Sequence, residues 1–283
     1  MKKLLVICGP TGTGKTKLAI DLAEKFNGEL VNADSRQVYK GLDALTGKDR
    51  SEKVPIWLYD VVEPIAEFSV AHFVRMARLV IEDIHKRGKL PIVVGGTGFY
   101  LRALTRRIDT LLIAPNKKLR DRFLHASVDQ LQKELRQADP DKWKRMNESD
   151  RKNPRRLVRA IEVAAAAAVP NAKPKQDVLW IGLSATRVIL KDRISKRVAQ
   201  RFNQAIKEVR EGLPPILGAG PLLAYVRGEK TKDDAMIQWI QAEYAYARRQ
   251  MTWFRKEKNI QWFDISDLDL TKVEDCVAGW YTR

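Results

Sequence analysis

The stretch Val6–Ile20, VICGPTGTGKTKLAI, decides the fold. Gly9, Gly14, Lys15 and Thr16 meet the spacing Gly-x4-Gly-Lys-Ser/Thr. An apolar run, LLVIC (4–8), precedes the loop and a helical pattern, TKLAIDLAEKF (16–26), follows it. In a strand–loop–helix context these glycines let backbone N–H groups and a helix N-terminus face a phosphate. Gly9, Pro10, Thr11, Gly12, Thr13, Gly14, Lys15 and Thr16 are therefore the candidate phosphate cradle. The usual guest is a nucleoside triphosphate, and the rest of the chain has to say whether it is here.

Working outward, strand-like runs recur at ELVNA (29–33), LPIVVG (90–95), VLWIGL (178–183) and IQWFDI (260–265), with helical patterns between them. One helix is expected from Ser69, an N-cap, to Gly88, a C-terminal stop. Alternating strands and helices predict an α/β fold of the P-loop, nucleotide-kinase-like kind: a parallel sheet flanked by helices, with the site at the strand C-terminal ends. The segment NKKLRDRFLHASVDQLQKELRQADPDKWKRM (116–146) is charged and helical without strand signals. It predicts a helical insertion over 112–149 in a core made of 1–111 and 150–283. Helix is expected to continue through 155–169, PNAKPKQ (170–176) is the expected linker, and 186–258 should be mostly amphipathic helix.

The 283 residues carry a net charge of +17. Such an excess favours a polyanionic partner, because each Lys or Arg placed on a phosphate releases a counterion. Cys8 and Cys276 are far apart and give neither a disulfide framework nor metal spacing, which fits a reducing compartment. His72, His85 and His125 form no metal set. No run of about 18 apolar residues exists, so no membrane span is expected. The first strand begins at residue 4, which leaves no room for a signal peptide and predicts a cytoplasmic protein.

A phosphate-loop ATPase holds Mg2+ with the loop Ser/Thr and an acid at a neighbouring strand end. Here the third strand ends in VVGGTG, with Gly95, Gly96 and Thr97 at those places, and the strand at 178–183 ends without an acid. The acid at a usable strand end is Asp34, in VNADSRQVYKG. A carboxylate there can act as a general base. Either it activates a hydroxyl that attacks a γ-phosphate, or it activates an amine while the phosphates depart as a leaving group.

The blocks GPTGTGKT, ADSRQVYKGLD, VVGGTGFYLRAL, NPRRLVRAIEV and RRQMTWFRKEKNIQWFD occur in this order over residues 9–264. Together they resemble the tRNA dimethylallyltransferase (IPP transferase) family. The resemblance implies dimethylallyl diphosphate as donor and N6 of adenosine 37 in the tRNA anticodon stem-loop as acceptor. It implies Asp34 as the base, Thr97 on the oxygen bridging to the allylic carbon, Mg2+ near Thr16, and Arg197 and Arg120 near the leaving group and RNA. Asp34, Ser35, Arg36 and Gln37 are implied to contact the target base and its neighbours. The run Arg155, Arg156, Leu157, Val158 and Arg159 is implied to contact tRNA, with Lys117, Lys118, Lys142, Lys144 and Arg145 giving the insertion a phosphate-tracking surface. A monomer is expected. Trp253 and Phe254 should pack rather than stack on bases.

Three blocks depart from the family pattern. PIWLYD (55–60) stands where a paired histidine usually precedes Leu-Ile-Asp. LGAGPLLAY (217–225) stands where a Gly-Tyr-Lys-Glu block is usual, and Glu243 and Tyr244 replace a Thr-Arg pair. Segments around 48–55 and 105–115 are short. Three other readings stay open at this point: an adenylate dimethylallyltransferase, for which +17 is unneeded; a phosphate-loop nucleoside or small-molecule kinase with Asp34 as base; and an RNA-binding protein that has lost catalysis, which the altered blocks allow.

Overall fold

A computed structural model describes residues 2–166 and 176–283. The chain divides into two compact units, Met1–Arg106 with Pro174–Arg283, and Arg107–Lys173.

The first unit begins with β1 (Lys2–Cys8), α1 (Lys15–Lys25), β2 (Gly28–Asn32), α2 (Asp43–Thr46), β3 (Ile56–Trp57), α3 (Val70–Lys86), β4 (Leu90–Val94) and α4 (Gly98–Thr105). The second unit holds α5 (Lys117–Arg122), α6 (Val128–Ala138), α7 (Pro140–Arg145), α8 (Glu148–Arg151) and α9 (Pro154–Ala164). The first unit resumes with β5 (Gln176–Ser184), α10 (Arg187–Glu208), α11 (Ala219–Val226), α12 (Lys232–Phe254), β6 (Ile260–Asp264) and α13 (Leu270–Tyr281).

The strands form one sheet in the order β3-β2-β4-β1-β5-β6, and every pairing is parallel. β2 and β4 are buried along their whole lengths and β1 over its last five residues. That is why β1 and β4 read as unbroken apolar runs, while β2 also buries Glu29 and Asn32: a parallel sheet is covered on both faces. Leu5 and Ile7 join a cluster with Leu18 and Leu22 of α1 and Val273 and Val277 of α13. Leu4 and Val6, of opposite parity, are equally buried. A second core joins α2, α10, α11 and α12 around Trp239 and Phe202.

The expected helix from Ser69 to Gly88 forms as α3. Ser69 Oγ accepts from the His72 N–H at 3.2 Å, and Gly88 follows the helix with φ of 71°. β3 went unseen in the sequence because it is two residues long and sits at the sheet edge. Its Trp57 Nε1 donates to Glu29 at 2.8 Å. Glu29 is a buried acid in β2, held down to about 2 first by hydrogen bonds from Arg87, against the cost of burial, and then by Lys89 and Trp57.

In the second unit, α6 and α9 pack through Leu131, Leu135, Leu157 and Ile161. Leu157 is fully buried and Val158 packs on the same cluster. α9 thus shares a core with α6, and the compact unit reaches beyond the expected span of 112–149 on both sides. The α9 helix ends at Ala164. The rest of the helix expected to 169, apart from Ala165 and Ala166, and the linker expected at 170–176, apart from Gln176, lie outside the described residues. No helix among the described residues is long and apolar enough to cross a membrane.

Candidate active site

Three loops meet at the C-terminal edge of the sheet because β1, β2 and β4 are neighbours there. The first is the phosphate loop after β1. Gly9, Gly12 and Gly14 take φ of 136°, 86° and 85°, values costly for any residue with a Cβ. A Cβ on Gly9 would also lie 2.4 Å from the Leu183 carbonyl oxygen. Thr13 is buried and its hydroxyl donates to Pro10 O at 2.9 Å, closing the loop on itself. Lys15 Nζ donates to the same carbonyl at 2.8 Å. Desolvation lowers the Lys15 ammonium to about 8; Asp34 opposes the shift and Arg197 adds to it.

The second loop follows β2 and carries Asp34. Its backbone N–H donates to Asn32 Oδ1 at 3.0 Å, and its Oδ1 accepts the Arg36 N–H at 3.0 Å. One carboxylate oxygen is thereby occupied in shaping the turn. The other, Oδ2, faces Gly96, where an added Cβ would approach it at 3.6 Å. The third loop follows β4. Thr97 N donates to Ala33 O at 3.2 Å, and Thr97 Oγ1 accepts from Ser35 N at 2.9 Å and donates to Ser35 Oγ at 3.2 Å. The second and third loops are therefore stitched together by backbone and hydroxyl bonds.

Two helices from the far end of the chain complete the site. From α12, Gln250 accepts the Thr11 N–H at 2.9 Å and donates to Gly96 O at 3.0 Å, bridging the first and third loops. Tyr246, one turn earlier, lies under the Arg36 guanidinium, 3.9 Å from its ring centroid. Burial pushes its phenol up to about 12, and Asp34 adds to the shift. From α10, Arg197 donates to Gly47 O at 2.7 Å, and its other terminal nitrogen reaches Thr11 Oγ1 at 3.4 Å. Gln37 Nε2 donates to the same Gly47 carbonyl at 2.8 Å. Arg201, one turn on, donates to Ala44 O at 3.0 Å and pairs with Glu243 at 3.7 Å. Burial, with the charge of Arg197 beside it, lowers Arg201 to about 10.

The result is a cavity of about 390 Å3 lined by Thr11, Gly12, Gly14, Lys15, Thr16, Asp34, Gln37, Gly95, Gly96, Arg197 and Gln250, among others. Its wall is cationic on the α10 side, where Arg193 and Lys196 also line it, and carries the carboxylates of Asp34 and Asp49. Sequence reasoning brought Asp34, Lys15, Thr16, Gln37 and Arg197 to this cavity. It missed Asp49, Tyr59, Arg193, Lys196, Gln200 and Gln250, which reach it only through tertiary packing. Burial raises the Tyr59 phenol, with Asp49 and Asp34 adding to the effect. Among the described residues no group of three or more His, Cys, Asp or Glu side chains is placed to hold a metal by itself.

Thr97, Ser35 and Arg36 sit on the second and third loops but are not among the residues that line the cavity, and Arg120 and the 155–159 run fall in the second unit. Arg120 Nε donates to Glu162 at 2.7 Å, and Arg159 bonds Glu162 at 3.1 Å and the carbonyls of Thr110 and Ile113 at 2.9 and 2.7 Å. Burial opposes ionisation of Glu162, but these donors and the Asn116 N–H outweigh it and hold its pKa below the usual value. Arg120 and Arg159 are thus engaged as counter-ions inside the unit. Arg156 pairs with Asp150, Arg155 is exposed, Leu157 is a core side chain, and Val158 is partly buried against the same cluster. Trp253 packs edge-on to Phe254 at 5.2 Å, as the sequence suggested.

The family model described as IPP transferase matches residues 37–257, and an isopentenyl transferase model matches 2–58. The chain is 39% identical to a tRNA dimethylallyltransferase of Anoxybacillus flavithermus, over 94% of this chain and 91% of that one. It is 38% identical to that of Geobacillus thermodenitrificans, over 97% and 95%. Among solved structures, a tRNA isopentenylpyrophosphate transferase from Bacillus halodurans superposes with a TM-score of 0.73 at 32% identity, covering 99% of this chain and 97% of that one. A eukaryotic dimethylallyltransferase solved acting on tRNA gives 0.84 at 27% identity, covering 98% and 78%.

Proposed function

The chain belongs to the IPP transferase family, and from that premise we propose that it prenylates N6 of adenosine 37, with Asp34 taking the proton and the Gly9–Thr16 loop taking the diphosphate. The activity itself is dimethylallyl transfer to tRNA. The observation that carries the assignment of roles is the sharing of one cavity by Asp34, Lys15, Thr16 and Arg197.

The N6 lone pair is delocalised into the purine ring and is a weak nucleophile. It attacks the allylic carbon as the bond from that carbon to the diphosphate oxygen breaks, and the electron pair leaves with the diphosphate. The N6 proton passes to Asp34, whose Oδ2 is not needed for the turn. A positioned base of this kind contributes about 10²–10⁴-fold. The departing anion is met by loop N–H groups at the start of α1, by Lys15 and by Arg197, which stabilise charge where it develops. Thr97, by turning its one hydroxyl proton away from Ser35 Oγ, is the donor for the oxygen that carries the new charge.

The site suits Mg2+. The Thr16 hydroxyl is a hard oxygen ligand opening on the cavity, and Mg2+ is commonly held by one or two protein oxygens plus phosphate and water. When bound it would neutralise part of the diphosphate charge.

The acceptor base must leave its stack to reach such a cavity, at a cost of a few kcal/mol that is smaller in a loop than in a duplex. Ser35, Arg36 and Gln37 lie on the same turn as Asp34 and are the groups to receive it. The exposed Lys117, Lys118, Lys142, Lys144, Arg145 and Arg155 of the second unit suit a phosphate backbone, in keeping with the +17 charge.

The test incubates protein, Mg2+ and dimethylallyl diphosphate with unmodified tRNA, and with adenosine monophosphate in parallel. Nucleoside mass analysis is expected to show the prenyl increment on tRNA, at position 37. An increment on the mononucleotide alone, or transfer to another base, overturns the proposal.

A further inference from the structure

Asp49 is an unexpected residue in a cavity proposed to hold an anion. It follows α2, lines the cavity, and places both carboxylate oxygens 3.3 and 3.4 Å from Arg197 Nη2. The same nitrogen donates to Gly47 O, while the other end of the guanidinium reaches Thr11 of the phosphate loop. Asp49 also lies close enough to act electrostatically on Lys15 and on Tyr59. Its side chain is 56% exposed, so burial does not compel the pair with Arg197. Asp43 and Asp60, in contrast, are spent on the buried Lys48 at 2.9 and 2.6 Å and on Arg50. Asp49 has no such structural cation.

We propose that Asp49 is an internal counter-ion for the diphosphate clamp, occupying the Arg197 guanidinium in place of the donor's phosphates and so setting donor affinity. The inference rests on the reading of this cavity as the diphosphate site. A diphosphate drawn to Lys15 and Arg197 meets a carboxylate already paired with one of them. It gains the guanidinium only as that pair is given up, and the displaced carboxylate then faces it as a like charge. Specificity follows from the same contact. A diphosphate, with charge enough to displace Asp49, is favoured over a singly charged phosphate ester, which is held less strongly. The product diphosphate is also released more readily, because Asp49 competes for Arg197 as it leaves. Because Asp49 is half-exposed, the effect is screened by salt.

The experiment titrates inorganic diphosphate into the full chain by calorimetry, without metal and with Mg2+, at low and high salt. Asp49→Asn is compared with wild type and with Glu52→Gln, which removes the same unit of charge at an exposed position outside the cavity lining. Asp49→Ala guards against a new hydrogen bond from the amide, and thermal melts check folding. Both Asp49 variants are expected to bind diphosphate about three- to tenfold more tightly than wild type, the gain shrinking at high salt, with Glu52→Gln near wild type. Equal affinity in wild type and both Asp49 variants overturns the inference alone. So does weaker binding confined to the Mg2+ arm, which would make Asp49 a support for the metal. No diphosphate binding by folded wild-type protein under any condition overturns both this inference and the reading of the cavity.

Discussion

The Ser35 N–H donates to the Thr97 hydroxyl over 2.9 Å, joining the loop that carries Asp34 to the loop after β4. The Thr97 hydroxyl is therefore a strut for the loop that carries Asp34, besides the donor role proposed for it. Thr97→Val is expected to lower kcat strongly with little change in diphosphate affinity, and Thr97→Ser to recover most of the loss. Wild-type turnover by Thr97→Val in a tRNA prenylation assay would remove the hydroxyl from the mechanism.

Asp34→Asn keeps an oxygen for the Arg36 N–H but cannot take a proton at N6. Single-turnover prenylation should fall by about 10²–10⁴-fold, while calorimetry with diphosphate should match wild type. A fall in diphosphate affinity with turnover preserved would reverse the two assignments.

Lys15 gives a pH signature. Its folded value is lowered to about 8 from 10.5. Between those values the unfolded chain binds the proton that the folded chain has lost, so stability rises with pH through that window and the penalty is complete below it. Diphosphate binding runs the other way, because the charge it needs disappears above about pH 8. Affinity should weaken there and binding should take up a proton. Lys15→Met, measured beside it, subtracts the titration of diphosphate itself; an identical pH profile in the variant would exclude Lys15 as the source.

Gln250 satisfies two backbone groups from two loops. Gln250→Leu leaves the Thr11 N–H and the Gly96 carbonyl without that partner, at a cost of about 1–3 kcal/mol. Urea denaturation should report the loss, and hydrogen exchange should localise it to the phosphate loop. Unchanged exchange at Thr11 would show that the bridge does not hold the loop.

Neutralising Lys142, Lys144, Arg145 and Arg155 together should weaken tRNA binding and flatten its salt dependence, by about 0.7–0.9 in log–log slope for each phosphate left without its cation. Diphosphate binding should be unaffected. Arg159→Ala should act differently, lowering thermal stability because Glu162 is left buried beside fewer donors. A tRNA slope unchanged by the four neutralisations would direct the search for the RNA surface elsewhere.

The phosphate loop, Asp34 and Thr97 were legible because each sits within a contiguous block whose local geometry the residue types dictate. Gly9 and Gly14 need positive φ, and strand ends on a parallel sheet share one edge. Gln250 and Arg193 were not legible in the same way: helical spacing places them on α12 and α10 but does not say which loop those helices meet. Arg120 and Arg159 show the converse. Their blocks resemble a family pattern, yet their guanidinium groups are held by Glu162, a partner whose burial depends on how α9 packs. β3 was missed because two residues at a sheet edge carry no period.

The strand order has a consequence for synthesis. β1, the first strand of the sheet in chain order, pairs with β4 and β5, neither of which is its neighbour in the chain. A nascent chain stopping before Leu90 leaves the phosphate loop attached to an unpaired apolar strand, and one stopping before Gln176 still leaves one side of it bare. Chaperone protection of that open edge should therefore persist until β5 has been translated.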